Sequence, residues 1–158
     1  MDAKKFSDRL IKTIVSFFYL GHIPFIPGTF GSLGGIIVYY LVKGNLSAYL
    51  WAIGILLFLS LLLGGKAEQI YRKKDANYIV IDEVLGMLLA LLFLPYDIKL
   101  VVIAFVLFRA LDALKPYPCG WVQNLKGSLG VVGDDIVAGI YTNIIIQIAL
   151  RLASFRAS

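Results

Sequence analysis

One cysteine, Cys119, and one histidine, His22, are all the thiol and imidazole that this sequence carries. A lone thiol forms no intrachain disulfide, and one thiol with one imidazole falls short of the nitrogen and sulfur set that a zinc centre takes. Cys119 reads as a small hydrophobe in a loop. Charge is scarce as well: 16% of residues are charged against 59% hydrophobic, and a mean hydropathy of +0.84 excludes an ordinary water-soluble domain. A basic stripe is also missing. The 15 Lys and Arg outnumber the 10 Asp and Glu, for a formal charge of +5, but they are scattered between apolar runs. That pattern excludes nucleic acid as a partner and suits an anionic lipid surface. No long repeat, low-complexity tract or flexible linker divides the chain, so one domain over residues 1–158 is expected. The basic, then apolar start runs into Gly21-His22-Ile23-Pro24 without a small-residue cleavage site, so a cleaved secretory signal is not expected.

What is present is apolar helix. Phe6, Leu10, Ile14 and Phe17 fall at helical spacing, with Lys4, Lys5, Asp8, Arg9 and Lys12 between them. This predicts an N-terminal amphipathic helix in the membrane interface. After the punctuation of Gly21, Pro24, Pro27 and Gly28, an uncharged run to about Val42 predicts a first membrane helix. Ser47 to Leu63 is the clearest span, uncharged, with Tyr49 and Trp51 placed to anchor one end among headgroups. Further apolar helices are expected from about Ile79 to Leu94, Ile98 to Leu111 and Asp134 to Leu152. Some fall short of the roughly 20 residues that cross hydrocarbon, so their polar ends dip inward or the bilayer thins around them. The expected fold is all-α: a polytopic membrane bundle of four or five apolar helices plus the interfacial helix.

If the spans alternate, three connections share one side. Lys4, Lys5, Arg9 and Lys12 precede the first span, Lys66, Arg72, Lys73 and Lys74 fill the second connection, and Lys115 and Lys126 lie in the third. Lys43 and Lys99 oppose them, with Arg151 and Arg156 dissenting near the end. The positive-inside rule makes the crowded side cytoplasmic.

Four polar constellations interrupt the apolar sequence, and this topology brings all four to that face. Asp82-Glu83 sits inside the run Ile79 to Gly86, where two ionised carboxylates are costly unless paired or bound to a cation. Helix capping accounts for one acid but not for two. Asp134-Asp135 repeats the pattern before Ile136-Val137-Ala138-Gly139. Two acidic pairs on one face are hard oxygen ligands of the kind magnesium takes. Between them, Arg109, Asp112 and Lys115 recur every three residues on a helix ended by Pro116. Snorkelling with an ion pair explains them singly; in company, Arg109 and Lys115 suit phosphate oxygens while Asp112 orients them or completes the metal shell. Gly28-Thr29-Phe30-Gly31-Ser32 precedes a helix, so its N–H groups and the hydroxyls of Thr29 and Ser32 suit an anion, although it lacks the lysine and spacing of a nucleotide loop. Gly31 and Gly35 are spaced for close helix packing. His22, alone among prolines, reads first as loop structure and second as a catalytic group.

These blocks, in this order from about Gly21 to Gly139, resemble the phosphatidylglycerophosphatase A family. The resemblance rests on Pro27-Gly28-Thr29-Phe30-Gly31-Ser32, Asp82-Glu83-Val84-Leu85-Gly86, Phe108-Arg109 through Asp112 to Lys115-Pro116, and Gly130 through Asp134-Asp135 to Ala138-Gly139. Gly133 departs from it, standing where a larger apolar residue is usual. The resemblance implies a magnesium-dependent phosphomonoesterase of a bacterial cytoplasmic membrane. Such an enzyme hydrolyses phosphatidylglycerophosphate to phosphatidylglycerol and inorganic phosphate in glycerophospholipid synthesis. It implies metal ligands at Glu83, Asp134 and Asp135, with Asp82 and Asp112 in support; Thr29, Ser32, Arg109 and Lys115 are expected toward the substrate on the chemistry given above. One or two magnesium ions fit, and either water or an aspartate carboxylate serves as nucleophile. The rival readings are a small transporter or channel whose intramembrane acids line an ion path, and a scaffold that binds anionic lipid without catalysis. Neither explains two acidic pairs gathered at one face beside an Arg and Lys segment.

Overall fold

A computed structural model describes residues 3–74 and 76–157; the side chain of Arg156, counted above among the dissenting charges, lies outside the described side chains. Among the described residues the chain is all-helical, with seven α-helices and no strand. They are α1 (Ala3–Val15), α2 (Pro27–Val42), α3 (Leu46–Tyr71), α4 (Ile81–Leu91), α5 (Ile98–Leu114), α6 (Cys119–Val122) and α7 (Ser128–Ala157), with a 3₁₀ turn at Leu20–His22 between α1 and α2.

Two of them, α3 and α7, are long and apolar enough to cross a membrane. The expectation of four or five such helices meets shorter elements: α2 has 16 residues, α5 has 17 and α4 only 11. Large apolar side chains face outward along α3 and α7, among them Trp51, Ile55, Phe58, Ile144, Ile148 and Leu152. An exterior of this kind belongs in lipid.

Helix α4 is the centre of the bundle. Nine of its residues, Ile81, Asp82, Val84 to Leu88, Ala90 and Leu91, are buried, as befits a helix apolar on every side. It is enclosed by α2, α3, α5 and α7. Polar ties hold both of its ends: the Val80 N–H donates to the Val15 carbonyl at 2.9 Å, and Asn143 Nδ2 donates to the carbonyls of Ala90 (3.1 Å) and Leu92 (2.7 Å). Along its length the Tyr49 hydroxyl donates to the Leu88 carbonyl at 2.7 Å. The Tyr49 hydroxyl and these buried backbone groups are thus satisfied where no water reaches them.

Glycine sets the helix spacing. A Cβ on Gly139 would lie 2.4 Å from the Gly86 carbonyl oxygen, and one on Gly86 would lie 2.8 Å from that of Asp135, so α4 and α7 cross backbone against backbone. Gly31 and Gly35 similarly press α2 onto Val80, Val84 and Met87, the packing role their spacing predicts.

Three boundaries differ from expectation. The segment Pro27 to Ser32 is not a loop before a helix but the opening of α2, with Pro27 in the first turn, where its missing N–H costs nothing. Helix α7 begins at Ser128, so Asp134-Asp135 lies more than a turn inside it and does not open it. Phe17 does not extend the amphipathic face of α1, which ends at Val15; Phe17, Phe18 and Tyr19 are left-handed, and Phe17 packs toward Gly34. Phe6 and Leu10 are exposed while Val15 is buried, so α1 keeps one apolar side turned outward.

Candidate active site

The amino ends of α2 and α4, the carboxyl end of α5 and the early turns of α7 enclose a cavity of about 300 Å³. Its wall holds Asp82, Glu83, Arg109, Asp112, Lys115, Asp134 and Asp135, with Pro27, Gly28 and Asn77 at its edge. Residues from three constellations widely separated in sequence therefore meet in one space. From the fourth, Gly28 reaches the cavity, whereas Thr29 and Ser32 do not line it. The Ser32 hydroxyl is buried and donates to the Gly28 carbonyl at 2.9 Å, so its proton is committed to the helix itself.

Asp82, Glu83 and Asp135 bring carboxylate oxygens within 4.8 Å of one another. Asp82 and Asp135 are buried, and Glu83 Oε2 and Asp135 Oδ1 are buried with no hydrogen-bond partner. Such atoms repel each other and demand a cation or protons. The donor set is all carboxylate, which suits a hard divalent ion such as magnesium. Asp82 lies inside α4 and does not cap it, the N-cap being Val80; its Oδ1 accepts the N–H of the next residue, Glu83, at 3.1 Å. The amino end of α4 adds a favourable dipole beneath both acids.

Asp134 is placed differently from Asp135. Neighbours on a helix project about 100° apart, so when Asp135 faces α4 its neighbour turns toward the end of α5. There Asp134 Oδ2 meets Lys115 Nζ at 2.6 Å. The cluster accordingly contains Asp82 and not Asp134. A second pair, Arg109 Nη1 to Asp112 Oδ2 at 2.6 Å, lies one turn back on α5. Lys115 itself closes α5 in the left-handed region, with φ of 46°, immediately before Pro116, and that reversal swings its backbone round toward α7.

Gly28 is a contact residue by virtue of having no side chain. A Cβ there would meet Glu83 Oε1 at 2.5 Å and the Arg109 guanidinium at 3.1 Å. Gly133 departs from the usual residue because Val122 of α6 fills its place: a Cβ would lie 2.2 Å from Val122 Cγ1. Cys119 is wholly buried, and burial pushes its thiol up from the ordinary range, which keeps it protonated and inert. His22 stands apart from the carboxylates, stacked on Tyr78 with centroids 4.9 Å apart.

Asn77 was not singled out by sequence. It sits between the basic end of α3 and the Asp82-Glu83 pair, on the face where the four constellations gather. That placement was the available signal, but an Asn in a polar connection reads first as a turn residue.

A helical membrane protein whose clustered carboxylates share one cavity with Arg and Lys belongs to the class of membrane phosphohydrolases. The sequence profile of Phosphatidylglycerophosphatase A matches residues 13–150, and the chain belongs to that family. It is 37% identical over 124 residues to Phosphatidylglycerophosphatase A of Escherichia coli, covering 76% of this chain and 72% of the relative. Identity to the Haemophilus influenzae protein of the same name is 32%, over 76% of each chain. A Bacteroides thetaiotaomicron protein that carries the provisional name phosphatidylinositol-3-phosphatase is 35% identical, over 82% of this chain and 86% of its own. No solved structure matches significantly.

Proposed function

We propose that this protein is a magnesium-dependent phosphatidylglycerophosphatase, releasing inorganic phosphate from phosphatidylglycerophosphate to leave phosphatidylglycerol. The observation that carries the reading is the presence in one cavity of Asp82, Glu83 and Asp135, two of their oxygens buried and unpartnered, together with Arg109 and Lys115. Asp82, Glu83 and Asp135 would hold the ion. When bound, it supplies Lewis-acid polarisation of the phosphoryl group and offsets the charge of the acids.

The chain's own residues do the rest. Arg109 offers a planar fork to two phosphoryl oxygens, and Asp112 fixes that fork in place. Lys115 brings a point charge to the same oxygens, held by Asp134, as negative charge develops on them. Water attacks phosphorus in line with the glycerol oxygen; that P–O bond breaks, and the leaving oxygen takes up the proton that water gives. The cavity opens at the end of the helices where the basic residues gather, so the headgroup reaches it from the cytoplasmic water layer while the acyl chains stay in lipid. In this reading the chain is a multi-pass protein of the cytoplasmic membrane, with its shorter helices helped across by local thinning. An ion-conducting role is less well supported, because the acids collect at one end and do not form a path along the bundle.

The test is phosphate release by purified, detergent-solubilised protein from phosphatidylglycerophosphate and from phosphatidylinositol 3-phosphate, with magnesium and with chelator. Magnesium-dependent release, fastest from phosphatidylglycerophosphate, is expected. Preference for the inositol lipid would reassign the headgroup, and release from neither would return the chain to the ion-pathway reading.

A further inference from the structure

A second cavity, also of about 300 Å³, adjoins the first, and the two share Pro27 and Asn77 in their walls. Its chemistry is different. Among its described lining residues there is no carboxylate; the charged group is Lys73, whose Nζ donates to Asn77 Oδ1 at 3.2 Å. With its carboxamide oxygen occupied in this way, Asn77 presents its Nδ2 hydrogens as donors. His22, stacked on Tyr78, forms an aromatic side. At the rim Phe25 is 96% exposed, and Ile26 beside it is 53% exposed, an apolar lip of the kind that sits among acyl chains.

We propose that this second cavity is the subsite for the phosphodiester of the substrate lipid, recognised by Lys73 and Asn77. The inference rests on the phosphomonoesterase reading and extends it. A lipid whose headgroup ends in a phosphomonoester carries two phosphates of unequal charge. The terminal one, with up to two negative charges, goes where Arg109, Lys115 and a cation can neutralise it. The internal diester, with a single negative charge, is matched by one ammonium and neutral donors in a lining whose described residues include no carboxylate. Only a short glycerol unit separates the two phosphates, so their sites must adjoin, as these do through Pro27 and Asn77. The acyl chains then leave past Phe25 and Ile26 into lipid. Soluble phosphomonoesters lack the diester and forgo this contact, so the subsite selects for lipid.

The test uses full-length protein in mixed micelles of uncharged detergent, with the mole fraction of phosphatidylglycerophosphate varied. Lys73 and Asn77 are exposed, so their replacement leaves the fold intact. Lys73→Ala should raise KM about tenfold, the worth of one charge-assisted hydrogen bond, with kcat within about twofold; Lys73→Arg should restore most of the loss. Phosphatidylglycerol, which keeps the diester and lacks the monoester, should inhibit competitively and lose potency in Lys73→Ala by the same factor. Inhibition by orthophosphate should not change. Lys4→Ala removes the same charge from α1 and should leave KM alone. Parent-like KM and product inhibition in Lys73→Ala would overturn the subsite, as would an equal rise in Lys4→Ala or a parallel loss of orthophosphate inhibition. No phosphate release by the parent would instead overturn the underlying phosphatase reading.

Discussion

Gly139→Ala tests how the bundle holds its carboxylates. The added methyl would stand 2.4 Å from the Gly86 carbonyl oxygen, with the Gly86 carbonyl carbon and Cα at 3.1 and 3.2 Å. That is roughly 1 Å short of ordinary contact, and the opposing atoms are backbone, so α4 and α7 must separate by about that much. Gly86 lies one turn from Glu83, and Gly139 one turn from Asp135, so the separation is transmitted almost directly to the carboxylate cluster. A misplacement of about 1 Å in a catalytic constellation costs about 10²-fold in rate. We expect kcat/KM for phosphate release to fall by about that factor and the magnesium concentration for half-maximal activity to rise. Alanine's better helix propensity, worth roughly 1 kcal/mol, does not offset the clash. Gly54→Ala is the control, because nothing lies within 4 Å of a Cβ there; it should leave turnover unchanged and match or exceed the parent in thermal stability. Parent-like activity and magnesium dependence in Gly139→Ala would refute the claim that this crossing sets the site.

The remaining predictions concern the cavity wall. Glu83→Gln and Asp135→Asn keep shape but lose charge, and each should reduce turnover by more than about 10²-fold while weakening magnesium dependence. Asp134→Asn should instead raise KM and leave the half-saturating magnesium concentration nearer the parent's, because Asp134 Oδ2 meets Lys115 Nζ at 2.6 Å and Asp134 is not one of the three acids whose oxygens cluster within 4.8 Å; an equal shift in all three variants would merge the two roles. Arg109→Lys retains the charge but not the fork, and kcat should drop about 10²-fold; a rate near the parent's would reduce Arg109 to a snorkelling side chain.

Much of this was legible in the sequence. The all-helical class follows from apolar runs broken by Gly and Pro, and the acidic and basic blocks do meet in one cavity, although two helices, not four or five, are long and apolar enough to cross a membrane. The allocation of the carboxylates was not legible. Adjacent acids look equivalent in sequence, and only the crossing of α4 on α7 decides that Asp135 faces Glu83 while Asp134 faces Lys115. The opening of α2 differs from expectation because Pro and Gly signal a loop as readily as a first helical turn; within that turn Pro27 and Gly28 line the cavity, whereas Thr29 and Ser32 do not. In the sequence Lys73 reads only as one of the basic residues of the second connection and Asn77 as a turn residue, because their meaning depends on which cavity the chain folds beside them. The helices too short to cross hydrocarbon by themselves reflect α4, whose length suits a core element enclosed by neighbours more than a lipid-facing span.

The central claim is that Asp82, Glu83 and Asp135 hold the divalent ion on which phosphate release depends. Manganese, which accepts the same oxygen ligands as magnesium and is visible by electron paramagnetic resonance, allows both halves to be read on one sample. Titration of the solubilised parent should show saturable bound manganese, displaced by magnesium and lost in Glu83→Gln and Asp135→Asn, with phosphate release rising over the same concentration range. Unchanged manganese binding in both variants, or full turnover by the parent in excess chelator, would contradict the account.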